Sequence, residues 1–149
     1  MPSIGSLAEL SKNERFANRV HLGVREFRAE GPDVVAELFG LTLLGEDWRS
    51  IDGGVAYSVL LKLLTEDMAY NQRRLSDAQA NALASEFLGH FGADARFYTN
   101  GTWEIVPDYV SKGTGAGHSW IPATSATFDG GVLAVDDERC GVLWIEDED

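Results

Sequence analysis

The feature that most constrains the fold is a pair of apolar runs near the C-terminal end, split by four charged residues. Gly131-Val132-Leu133-Ala134-Val135 comes first, Asp136-Asp137-Glu138-Arg139 interrupts it, and Cys140-Gly141-Val142-Leu143-Trp144-Ile145 follows. Short runs rich in valine and isoleucine, joined by a polar turn, read as two β-strands of a hairpin. Pairing Val135 with Cys140 across the turn puts apolar side chains on both faces of both strands. A strand that is apolar on both faces lies inside a sheet covered on both sides. The two strands therefore belong near the centre of a sheet, with helices on at least one face. Val142 and Leu143 should be buried on opposite faces, and Trp144 in the core.

The first half of the chain carries helical signals. Ser11-Lys12-Asn13-Glu14 fits a capping box, and Phe16, Ala17, Val20, Val24 and Phe27 follow at helical spacing before Gly31-Pro32. A short helix is expected over residues 33 to 39. Asp52 can cap a longer one to about residue 70, with Val55, Val59, Leu60, Leu63, Leu64 and Met68 on its apolar face. Ser76-Asp77-Ala78-Gln79 is a second capping box, and Ala80, Leu83, Ala84, Phe87, Leu88 and Phe91 form one stripe that stops at Gly92. Beyond Gly92 the pattern changes to strands. Asn100-Gly101, between Arg96-Phe97-Tyr98-Thr99 and Thr102-Trp103-Glu104-Ile105-Val106, is the signature of a two-residue hairpin with a type I′ turn. Tyr98 and Trp103 would then be cross-strand neighbours. The expected architecture is a single α+β domain over residues 1–149, mainly helical over 1–92 and mainly an antiparallel sheet over 93–149.

A chain of 149 residues can enclose a core without disulfide or metal staples. No apolar run reaches the ~18 residues of a membrane span. Met1-Pro2-Ser3-Ile4-Gly5 shows no secretory pattern, and Cys140, the single cysteine, cannot form an intramolecular disulfide. These features point to a reducing, cytoplasmic compartment.

The net charge is -12, and it is uneven: +1 over residues 1–30, -3 over 31–75 and -10 over 76–149. Such a surface repels nucleic-acid phosphates and anionic lipid, which demand basic patches. It attracts cations or a basic protein.

Catalytic signals are sparse. Lys112-Gly113-Thr114-Gly115-Ala116-Gly117-His118-Ser119 lacks the spacing of a phosphate-binding loop, and it reads as a connection between strands. His21 lies beside the apolar stripe of the first helix, and His90 stands four residues after Glu86, where the two can pair. A triad drawn from Ser111 or Ser119, His118 and Asp108 has no nucleophile elbow around either serine. The terminal acids Glu146-Asp147-Glu148-Asp149 do not have the spacing of a calcium loop. No metal site or cofactor is expected.

Binding is therefore favoured over catalysis. From residue 126 onward the chain holds eight acids and one base, Arg139. Asp136, Asp137 and Glu138 at the turn, with Glu146 and Asp147 at the tail, make two anionic poles roughly 20 Å apart that could dock a basic protein. In size and charge the chain is similar to the bacterial immunity proteins, an analogy without a shared motif. The alternative is a small-molecule-binding protein or minor enzyme, with a pocket lined by Tyr98, Trp103, His118 and Trp120.

Overall fold

The terminal hairpin organises the sheet. The computed structural model describes residues 6–13, 16, 17, 19–105 and 119–148. Among them are four α-helices: α1 (Leu7–Lys12), α2 (Pro32–Leu38), α3 (Gly53–Thr65) and α4 (Asp77–Leu88). Five strands join them: β1 (Arg19–Arg25), β2 (Arg49–Ile51), β3 (Arg96–Thr99), β4 (Phe128–Val135) and β5 (Cys140–Asp147). They form one antiparallel sheet in the order β1-β5-β4-β3-β2. β4 is the middle strand and β5 its neighbour, with Val135 opposite Cys140 as the hairpin register requires. The class is α+β, with all the described helices before Gly92.

Strand alternation divides the core in two. Val132, Ala134, Leu143 and Ile145 point to a cluster formed with Leu7 and Leu10 of α1, Val59, Leu60, Leu63 and Leu64 of α3, and Leu83 and Phe87 of α4. Leu133, Val135, Val142 and Trp144 point the other way, to Val35 and Ala36 of α2, Leu41 and Trp48. Trp48 meets Trp144 edge-on with ring centroids 6.0 Å apart. Val142 and Leu143 are both buried, on opposite faces.

The local start signals act as their chemistry suggests. Asp52 accepts from the Val55 N–H at 2.8 Å and starts α3. Ser76 and Gln79 form a reciprocal capping box at α4. Gly40, with φ 78°, follows α2 in the left-handed conformation that glycine favours.

Two expectations need correction. The helix expected over 16–27 is largely strand β1. Val20 and Val24 lie four apart and fit a helical stripe, but with Leu22 they also alternate at period two. Pairing with β5 decides between the two patterns, because it satisfies the backbone and buries one side of that row. Ser6, rather than Ser11, caps helix α1, accepting from the Glu9 N–H. Two strands of the sheet, β1 and β2, therefore come from the first half. The second correction concerns Asn100-Gly101. β3 pairs with β2 and β4, and neither Asn100 nor Gly101 has positive φ. Asn100 is buried, its Nδ2 donating to the carbonyls of Ile121 and Asp129 at 2.9 Å each. Gly101 bridges Trp120, and a Cβ there would sit 2.4 Å from the Ser119 carbonyl oxygen. Glycine serves close backbone approach at this position, not a turn.

A candidate partner-binding face at the hairpin turn

The turn between β4 and β5 is held by one carboxylate. Asp136 Oδ1 accepts from the backbone N–H of Glu138 at 2.7 Å and of Arg139 at 2.6 Å. Its Oδ2 accepts from the Gly92 N–H at 2.9 Å, which ties the turn to the segment after α4. Burial pushes the Asp136 carboxyl upward, but these three N–H donors and the charge of Arg139 outweigh it and hold the group below its ordinary range. Asp94 adds a second tie by accepting from the Asp137 N–H at 3.0 Å. Arg139 donates to the His90 carbonyl at 2.9 Å.

These contacts frame an open cavity of about 400 Å³ lined by His90, Asp94, Asp136, Asp137, Glu138 and Arg139, among others. Asp94, Asp137 and Glu138 are exposed, whereas Asp136 is buried. Arg28 lies 3.9 Å from Asp137 with both side chains 75% exposed, a pairing of little energetic weight. The notch is thus a fixed backbone frame with three carboxylates open to solvent.

The tail behaves differently. Glu146 is buried, and its Oε2 lies 2.5 Å from His21 Nε2 on β1. Asp147 is buried as well, accepting from the Met68 N–H at 3.0 Å and from Arg74. Arg74 also lies over the Phe16 ring, 4.9 Å from its centroid, yet its Nη1 is buried without a hydrogen-bond partner. Of the five acids expected to form a docking face, Asp137 and Glu138 are free to meet a partner, while Asp136, Glu146 and Asp147 are used within the fold. Strand β5 runs through Asp147, so Glu146 and Asp147 are strand residues and not part of a solvated end.

Of the residues of the alternative pocket, Trp103 and Trp120 come together, and Tyr98 lies on the other side of the sheet. Tyr98 packs with the cluster on the α2 side of the sheet. Trp103 is buried in the opposite cluster, its Nε1 donating to Asn100 Oδ1 at 3.0 Å, and it stacks on Trp120 with centroids 5.1 Å apart. His118 lies outside the described residues, as do the glycine-rich segment 113–117, Asp108 and Ser111.

Two polar residues of consequence carry no sequence signal. Asp94 completes the notch from 42 residues before the turn. Asp129 is fully buried, directly opposite Glu146, and accepts from Trp144 Nε1 at 3.1 Å, Asn100 Nδ2 at 3.1 Å, and the N–H groups of Ala123 and Thr124 at 3.0 and 3.1 Å. It ties three segments around the core rather than facing a ligand. Glu86 accepts from the Leu7 N–H at 3.3 Å, and His90 lies past the end of α4 beside Phe91. Among the described residues, no group of three or more His, Cys, Asp or Glu side chains is placed to hold a metal ion. Nor is any helix among them long and apolar enough to cross a membrane.

No family model matches the chain, and no curated protein or solved structure shows significant similarity to it.

Proposed function

We propose that the protein is a non-catalytic acidic binding protein that docks a basic protein through the notch at the β4–β5 turn. The observation that supports this reading most directly is the combination of exposed Asp94, Asp137 and Glu138 with a backbone frame anchored to the two middle strands. A frame already fixed loses little conformational freedom on association, so more of the contact energy appears as affinity. Open carboxylates around a concave surface suit an arginine or lysine side chain, which brings donors and positive charge together. The net charge of -12 adds steering toward a basic partner and opposes nucleic acid. A cytoplasmic location accompanies the proposal, because Cys140, the sole cysteine, is a buried free thiol.

Affinity capture from the native host tests this reading. Wild type and an Asp94→Asn/Asp137→Asn/Glu138→Gln variant would serve as paired baits. The expected result is a basic protein retained by wild type and lost with the variant, while both baits keep the same circular dichroism and melting temperature. Equal retention by the two baits would remove the notch from the binding surface.

A further inference from the structure

We infer that two copies of this chain pair through strand β1, antiparallel about a two-fold axis at Leu22, to extend the sheet across both molecules. β1 is an edge strand of seven residues bonded on one side to β5. Among the described residues, no backbone hydrogen bond from another element reaches its outer side. It contains no proline, lysine or bulge to discourage pairing, and all seven of its residues retain partial or full exposure.

The sequence of the edge says what would cover it. Arg19-Val20-His21-Leu22-Gly23-Val24-Arg25 reads nearly the same in both directions about Leu22. An isologous interface requires a surface that complements itself. Antiparallel pairing at this centre sets Leu22 against Leu22 of the second copy, and Val20 against Val24, twice. All six side chains belong to the row that packs toward α1, α3 and α4, so the second copy would complete burial of residues now half-covered. On the other face, His21 would meet Gly23. The Phe39 ring already fills the space a side chain at that glycine would take, a Cβ there falling 2.5 Å from a ring carbon, so the imidazole would meet that ring.

Charge sets the strength of the contact. Arg19 would face Arg25 of the second copy, a like-charge pair at each end. Glu146 stands directly opposite Arg19 on β5 and offsets part of that repulsion. The strip is also the basic part of an acidic molecule, which makes it the seam where two copies with a charge of -12 each can approach.

Sedimentation velocity over a concentration series, with disulfide trapping, tests the pairing. Wild type should show a reversible dimer. Arg25→Glu turns both like-charge pairs into opposite-charge pairs and should tighten the dissociation constant by about tenfold, given typical cross-strand pair energies. Leu22→Cys should form an oxidised dimer readily, since directly opposed Cα atoms in antiparallel strands lie within disulfide reach. Val20→Cys and Val24→Cys should do so only when mixed with each other, and wild type, whose only thiol is buried, not at all. A monomer at every concentration for both wild type and Arg25→Glu would overturn the inference. So would a dimer that Arg25→Glu leaves unchanged and Leu22→Cys does not trap.

Discussion

At the scale of single residues, the buried carboxylates carry more of the architecture than their number suggests. Asp136 is the clearest case, because three backbone N–H groups converge on it and their satisfaction defines the turn. Asp136→Asn removes the charge and places an amide donor where one N–H must be accepted. The expected cost is about 1.5–3 kcal/mol, the range for hydrogen bonds to a charged group. The pH dependence has a definite sign. A carboxyl held below its ordinary range when folded contributes stability that is present above its unfolded pKa and is lost as pH falls through the folded value. Urea titrations of wild type and Asp136→Asn should therefore differ most near neutral pH and converge in acid. A gap that stays constant down to the acid limit would mean the charge is not what holds the turn. Leu143 gives a second test in the apolar core. It is fully buried among side chains of the helical layer, so Leu143→Ala should cost about 2–5 kcal/mol. An unchanged denaturant midpoint would contradict its placement.

At the scale of elements, the hairpin is what the rest of the chain packs around. α3 contacts β4 on one face, while α2 contacts β4 and β5 on the other. Removing residues 126–149 takes away the two middle strands and exposes both clusters, so the truncated chain should lose its single cooperative melting transition. A sharp transition surviving in calorimetry would show that the remaining elements hold a core of their own. This hairpin was readable from the amino-acid sequence because two unbroken apolar runs admit few arrangements. The same is true of α3 and α4, whose starts are fixed by the adjacent side chains of Asp52 and Ser76. β1 was not readable, because Val20 and Val24 serve a helical and a strand pattern equally and only contact with β5 separates them. Asn100-Gly101 misled for a related reason. The pair is common in tight turns, but here Asn100 binds groups on two distant segments that no local rule includes. The candidate site divides in the same way. Its turn was legible as a run of charges, but Asp94 lies far off in sequence. The withdrawal of Glu146 and Asp147 depends on His21, Met68 and Arg74, all remote along the chain.

At the scale of the whole molecule, the charge field outweighs any one acid. Of the three inward carboxylates, Asp136 is held by N–H groups, Asp147 is paired with Arg74 and Glu146 is hydrogen-bonded to His21, so all three are turned to the fold and not to a distant protein. The exposed acids remain, and those at the notch stand on a frame that cannot swing away. Steering of this kind acts on encounter before close contact forms. Added salt should therefore slow association with a basic partner far more than it alters dissociation, because the screening length falls to about 10 Å at 0.1 M ionic strength. Stopped-flow association rates over a salt series, for wild type and for Asp137→Asn/Glu138→Gln, separate the global field from the local notch. If the field alone acts, the double variant should lower the rate only in proportion to two charges of the total, with dissociation unchanged. If the notch receives a cationic side chain, the same variant should also speed dissociation, because a contact present only in the bound complex has been removed. The expected outcome is the second. An association rate with no salt slope, together with an unaffected dissociation rate, would reduce the acidic turn to a source of solubility.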